Sequence, residues 1–201
     1  MWYLKDNDET KGLIVVARNF FNEEEVNTIN KLVKPIKLEE AKIGLDDANS
    51  DEKIRSNKIK WITPSNSESD WIFRRYVDLI NDVNNNFYQF TLEYIEDLQY
   101  TIYKGSKKRT DYYTAHIDDL RINKKINVVR KLSVSTVLSD ESGYEGGDLI
   151  IYDDSLSQPK RYKLNKGDAI IFPSFLLHEV EPIISGTRIS LVCWAHGPSW
   201  K

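Results

Sequence analysis

The chain has 201 residues, 40% of them hydrophobic and 29% charged, with a formal net charge of −3 and a single cysteine. That length suits one domain with a sizeable core, the slightly acidic balance offers no general attraction to nucleic acid or an anionic membrane, and Cys193 alone cannot form an internal disulfide. The charged N-terminus, Met1 to Glu9, lacks the apolar core of a signal peptide, and no run approaches the ~20 apolar residues of a membrane span, so a cytoplasmic protein without membrane or nucleic-acid partners is expected.

Taken in order, Leu13 to Arg18 is short, β-branched and apolar, and predicts a strand. Asn22-Glu23-Glu24-Glu25 opens a helix with Val26, Ile29, Leu32 and Val33 at helical spacing, acidic residues early, Lys31 and Lys34 late, and Pro35 at its end. Residues 44–58 are polar and aperiodic and predict a surface loop. Ser67 to Asp70 resembles a capping box, and Trp71, Ile72, Arg75, Leu79, Val83 and Phe87 continue it as the longest helix, about 68–88.

From about residue 91 short strands separated by turn residues take over, near 97–103, 113–118, 129–138, 147–152, 160–164, 168–172, 175–181 and 186–195. Gln99, Thr101 and Tyr103 share one strand face, and Leu98, Tyr100 and Ile102 the other. Leu132, Val134, Thr136 and Leu138 form a mostly apolar face, whereas Ser133, Ser135 and Val137 form a mostly small, polar one. This predicts a sheet covered outside by the N-terminal helices and lining a wet cavity inside. One domain over 1–201 is expected, with a helical support region (1–90) and a β core (91–201).

Tyr112 to Asp118 carries the chemistry. His116 and Asp118, two apart on a strand, project from one face and can turn toward one ion, with His178 as third ligand. Two imidazoles and one carboxylate leave open positions, the arrangement expected of non-haem Fe(II) holding a co-substrate and O₂. Ten residues after His178, Arg188 shares a face with Ser190, Val192 and Trp194. A guanidinium aimed into a sheet interior needs an anion, and a dicarboxylate co-substrate would supply one.

His116-Ile117-Asp118, His178 and Arg188, with Gln99 to Gly105 upstream and Tyr144-Glu145-Gly146-Gly147-Asp148-Leu149 between, resemble the Fe(II)/2-oxoglutarate-dependent dioxygenases of the prolyl 4-hydroxylase superfamily over about residues 97–197. Within it, the small microbial prolyl-hydroxylase-like enzymes are most similar. The resemblance implies a mainly β fold, a double-stranded β-helix (jelly roll) with supporting N-terminal helices. It implies a catalytic metal set of His116, Asp118 and His178, and Arg188 as anchor for the 2-oxoglutarate 5-carboxylate. Tyr103 and Trp194 match positions near the co-substrate. Where several relatives hold the distal carboxylate with a tyrosine, this chain has Val137, and Ser135 or Thr136 is its expected substitute. Fe(II), 2-oxoglutarate, O₂ and ascorbate as reductant are the implied cofactors and co-substrates. The implied reaction couples oxidative decarboxylation of 2-oxoglutarate, to succinate and CO₂, with substrate hydroxylation. A proline-containing peptide is the expected substrate.

Alternatives stand beside this. The same chemistry could act on an amino acid, a small metabolite or a nucleobase, or the jelly roll could be a metal-containing binding module without turnover. His196, among turn residues, reads as a surface histidine, Asp119 as solvated, and Cys193 as a buried apolar residue. Lys104 to Asp111 reads as a solvated loop or a lid, and Arg121, Lys124, Lys125, Arg130 and Lys131 as a solvated hairpin or a positive rim. Oligomeric state is not legible in the sequence.

Overall fold

The computed structural model describes residues 14–41, 55–64, 68–118, 121–123, 127–152 and 159–200. Its elements, in chain order, begin with β1 (Val15–Ala17), α1 (Glu23–Leu32), β2 (Glu39–Glu40), β3 (Lys58–Ile62) and α2 (Asp70–Val83), which runs into a π-helical turn at Asn84–Tyr88. Then follow β4 (Tyr94–Ile95), β5 (Leu98–Ser106), β6 (Arg109–Thr110), β7 (Tyr113–His116), β8 (Arg121–Asn123) and β9 (Val128–Val137). A short 3₁₀ turn leads to β10 (Tyr144–Gly146), β11 (Leu149–Tyr152), β12 (Lys160–Tyr162), β13 (Ala169–Pro173), β14 (Leu177–Val180) and β15 (Ile183–Pro198).

Local chemistry fixes the helices. Asn22 caps α1 by accepting from the Glu25 amide at 2.9 Å, and the Glu25 carboxylate accepts from the Asn22 amide at 2.8 Å, satisfying two orphan donors. The capping box expected from Ser67 to Asp70 involves a residue outside those described; at the observed start of α2 the Ser69 hydroxyl donates to the Thr63 carbonyl at 2.9 Å. In α2, Ile72, Tyr76, Ile80 and Val83 are buried at three- and four-residue spacing. The helix stops where Asn84 clasps Phe90 through both its amide and its carbonyl, each at 2.9 Å, and Gln89 turns left-handed.

Every strand pairing among the described residues is antiparallel. A major sheet runs β1-β13-β9-β15-β5-β3-β2, and a minor one runs β12-β11-β14-β7. Two apolar layers result. Leu98, Tyr100, Leu132, Val134, Leu191 and Cys193 of the major sheet pack against Val26 and Ile29 of α1 and Ile72, Tyr76 and Ile80 of α2. Between the sheets lie Tyr103, Val137, Leu149, Ile151, Ile170, Phe172 and Val180. The two faces of β5 and β9 are thus used as the alternation predicts, and the architecture is a jelly roll with helices on its outer face.

Three expectations change. Beside the strand expected at Leu13 to Arg18, the first ninety residues supply β3, which pairs with β5 from Lys58–Ile102 to Ile62–Leu98. The stretch from Lys104 to Asp111 is a tight hairpin in place of a loose loop, with Asp111 accepting from the Lys104 amide at 2.8 Å and from Arg109 at 2.7 Å. Arg130 and Lys131 are not solvated: Arg130 pairs with Glu96, and Lys131 lies 3.3 Å from the Trp200 ring centroid. Residues 44–54, Ser67, Asp119, Lys124 and Lys125 lie outside the described residues.

Candidate metal centre

The β7–β14 pairing puts His116 directly opposite His178, with a register shift before Val180, and their rings lie 4.2 Å apart. Asp118 follows just beyond β7, where its amide donates to the Ser174 carbonyl at 2.8 Å. One donor atom from each of the three side chains falls within 4.8 Å of the others. The Asp118 carboxylate lies 3.7 Å from His116 Nε2 and 3.4 Å from His178 Nε2.

The surrounding bonds fit a metal. His116 Nδ1 lies 2.7 Å from the Thr114 carbonyl and His178 Nδ1 lies 2.9 Å from the Leu176 carbonyl, so each ring carries its proton on Nδ1 and turns the Nε2 lone pair to the common point. Asp118 Oδ2 accepts from Ser133 Oγ and Trp194 Nε1, both at 2.8 Å, and Ser133 is in turn bonded to Ser174 at 2.9 Å. Tyr113 stacks on His116 at 3.5 Å, and Phe172 meets His178 edge-on at 4.8 Å.

Electrostatics favour the metal-binding forms of His116 and Asp118, whereas the Asp118 charge favours a proton on His178 that a bound cation would displace. Burial, with His178 alongside, pushes His116 down to about 4 against the pull of Asp118, which keeps the ring neutral. Burial would raise Asp118, yet the neighbouring imidazoles hold it well below the usual carboxylate range. Burial lowers His178, but Asp118 outweighs it and leaves it raised. A buried carboxylate between one buried and one half-buried imidazole would bind a divalent cation and leave positions on its far side for other ligands.

Arg188 lies across β15 and β5 from Tyr103, buried to 3% exposure. Its partners are Ser190 Oγ, at a long 3.4 Å, and the Tyr103 ring, 5.8 Å from the guanidinium carbon; no carboxylate among the described residues pairs with it. Gly147, with φ of +71°, makes room for it: a Cβ there would stand 2.9 Å from Arg188 Cδ and 2.2 Å from Ile183 Cδ1. Burial raises the Tyr103 hydroxyl, so it stays protonated and able to donate.

Triad, Arg188, Tyr103, Trp194 and Ser135 all line one cavity of about 470 Å³. Thr136 does not. Strand alternation turns it to the helix side, where its hydroxyl lies 2.8 Å from Tyr76 Oη, so of the two expected substitutes only Ser135 reaches the cavity. Trp194 is on the cavity wall and holds Asp118.

His196 is fully buried, in place of the expected surface position. It stacks on Tyr94 at 4.7 Å and is bonded through Nε2 to Glu96. Glu96 holds Arg130 bidentately at 2.6 and 2.7 Å, and the Arg130 guanidinium lies 3.8 Å from the Trp194 ring centroid. Burial opposes the charge on Glu96, but His196 and Arg130 hold it below its usual range. Neither this chain of contacts nor Arg55, also on the cavity wall, carries a sequence signal: both depend on pairings between distant segments.

Residues 98–196 match the profile of the 2OG-Fe(II) oxygenase superfamily. A PKHD-type hydroxylase of Idiomarina loihiensis is 36% identical over 84 residues, covering 42% of this chain and 36% of that protein. The PKHD-type hydroxylase YbiX of Escherichia coli is 31% identical over 135 residues, 65% of this chain and 59% of that one. The matched stretch thus spans less than two thirds of either relative. A prolyl-4-hydroxylase structure from Pseudomonas putida superposes with a TM-score of 0.69 at 19% identity, covering 96% of both chains. A prolyl hydroxylase of Trichoplax adhaerens, in complex with a hypoxia inducible factor peptide fragment, gives 0.70 at 20% identity, covering 94% of this chain and 86% of that one. At such identities the structural likeness speaks for the fold.

Proposed function

From the premise that the chain belongs to the 2OG-Fe(II) oxygenase superfamily, we propose that it is a peptidyl prolyl 4-hydroxylase, oxidising a prolyl residue at the expense of 2-oxoglutarate and O₂. His116, Asp118 and His178 hold Fe(II). Arg188 binds the distal carboxylate of 2-oxoglutarate, with the Tyr103 hydroxyl beside it and Ser135 and Ser190 on the same wall. The single observation that carries this reading is a buried, acid-free guanidinium in the cavity that holds the His-Asp-His cluster.

When bound, the iron and co-substrate supply the oxidising power, coupling decarboxylation to succinate and CO₂ with hydroxylation of the substrate. The protein supplies orientation. Two serines and an indole keep the Asp118 carboxylate fixed, the Nδ1 bonds fix both rings that would hold the metal, and the apolar lining of Phe172, Leu149 and Val180 keeps bulk water out. No protein general base is needed. Ascorbate serves as reductant, and the protein acts in the cytoplasm.

A proline-rich peptide suits the site because it is extended before binding. Two structural neighbours are named as prolyl hydroxylases, one with a peptide bound. Mass spectrometry of proline-rich peptides incubated with iron, 2-oxoglutarate and air tests this. A gain of one oxygen on proline is expected; peptides left unmodified while 2-oxoglutarate is consumed would move the substrate to an amino acid, small metabolite or nucleobase. Iron and 2-oxoglutarate bound without any succinate would indicate a binding module.

A further inference from the structure

The two arginines buried among the described residues, Arg55 and Arg188, both lack an acid. Arg130 is neutralised bidentately by Glu96, and among the charged groups on the cavity wall that leaves Arg55, Arg188 and Asp118. Arg55 is 8% exposed. Its Nε donates to Asn57 Oδ1 at 2.5 Å, its Nη2 donates to Gln99 Oε1 at 2.7 Å, and its guanidinium carbon lies 4.5 Å above the Tyr113 ring. All three partners are neutral, and no carboxylate among the described residues pairs with it. Two hydrogen bonds occupy two of the five N–H donors of a guanidinium.

The placement distinguishes it from Arg188. Gln99 faces Val192 across β5 and β15, whereas Arg188 faces Tyr103, four residues along the strand and roughly 13 Å away at strand rise. Tyr113, under Arg55, stacks on the metal-side ring of His116 at 3.5 Å. Arg55 therefore lies over the ring that stacks on His116, whereas Arg188 is held beside Tyr103 on β15. A dicarboxylate that reaches from the metal to Arg188 spends its two charges on those two groups. Against a divalent ion, the Asp118 carboxylate and that dicarboxylate, the two arginines leave one positive charge uncompensated. A buried charge without a counter-ion is costly, and a preorganised guanidinium fork recognises a carboxylate well.

We propose that Arg55 is a substrate-binding residue and that the primary substrate brings it a carboxylate, either an acidic side chain next to the oxidised residue or a free C-terminus. This rests on the Fe(II)/2-oxoglutarate reading of the site. Asn57 and Gln99 are positioning residues that hold the fork, and Tyr113 is the platform on which it lies.

The test uses the full chain loaded with Mn(II), which supports binding without turnover, and saturated with 2-oxoglutarate. Calorimetric titration compares matched probes: free L-amino acids against their carboxamides, and proline-containing tripeptides with Asp or Glu against the same peptides with Asn or Gln. At least one acid should bind about tenfold or more tighter than its neutral twin, as expected of a charge-assisted bidentate contact. Arg55→Gln should erase that preference with 2-oxoglutarate affinity kept within about twofold, and Arg55→Lys should restore part of it. No acid binding better than its twin, or a preference that survives Arg55→Gln, would overturn the proposal. So would a loss of 2-oxoglutarate affinity in Arg55→Gln, which would make Arg55 a co-substrate ligand. Wild-type protein that binds neither Mn(II) nor 2-oxoglutarate would instead defeat the oxygenase reading beneath it.

Discussion

Asp118 shows how much one carboxylate depends on its neighbours. Ser133, Trp194 and the Ser174 amide acceptor come from three different segments, and together they leave Asp118 little freedom to rotate away from the two imidazoles. Trp194→Phe keeps an aromatic side chain but removes the N–H, so it should weaken metal affinity about 10- to 100-fold by chelator competition, as losses of outer-shell partners do. Unchanged affinity would mean that the indole only packs. Glu96 offers a pH test. Its pKa is lowered in the fold, so its contribution to stability is present above its unfolded value near 4.5 and is lost as pH falls through the lower folded value. The stability gap between wild type and Glu96→Gln should therefore shrink on acidification; a gap that widens would contradict the pairing with Arg130 and His196. At this scale the sequence was legible where residue type and short spacing carry the chemistry, as for His116, Asp118, His178 and Arg188. It was silent where the role comes from a distant partner. His196 lies among turn residues and reads as exposed, but β15 continues through it to Pro198 and buries it against Glu96. Arg55 lies in a polar, aperiodic stretch, and only the β3–β5 pairing and a bridge to Tyr113 bring it to the cavity.

Elements were easier to predict than contacts. Strand alternation correctly assigned both faces of β5 and β9, because a period of two leaves no other way to divide Gln99, Thr101 and Tyr103 from Leu98, Tyr100 and Ile102. The same rule excludes Thr136 from the cavity, since it shares a face with Leu132 and Val134. Tyr76→Phe, which removes the hydroxyl bonded to Thr136 and the Leu191 carbonyl, should cost about 1 kcal/mol in denaturant unfolding; no loss would mean water or another group replaces it. At the β10–β11 turn, Gly147→Ala adds a methyl within contact of Ile183 and Arg188 at a left-handed φ. It should weaken 2-oxoglutarate binding with metal affinity retained, because the triad is on other strands; equal loss of both would indicate a general collapse of the fold.

Across the whole molecule, the helices form one side of the major sheet and the minor sheet covers the other, so the reactive groups lie between two sheets, the major one centred on the β15–β5 and β15–β9 pairings. The cavity concentrates positive charge inside a chain whose formal net charge is −3. This contrast favours anionic small molecules in the interior without attracting polyanions to the surface. Composition gives the surface no overall attraction for polyanions; Arg188 already pointed to an anion inside, and Arg55 adds a second positive group to the same cavity.

The most direct test is 2-oxoglutarate binding by the metal-loaded protein and its Arg188→Gln variant, followed by succinate release in air. Wild type should bind the co-substrate and form succinate only with Fe(II), and the variant should bind it at least about thirtyfold more weakly, the cost of leaving a buried charge unpaired. Equal affinity in the two proteins, or succinate formed without iron, would contradict the account.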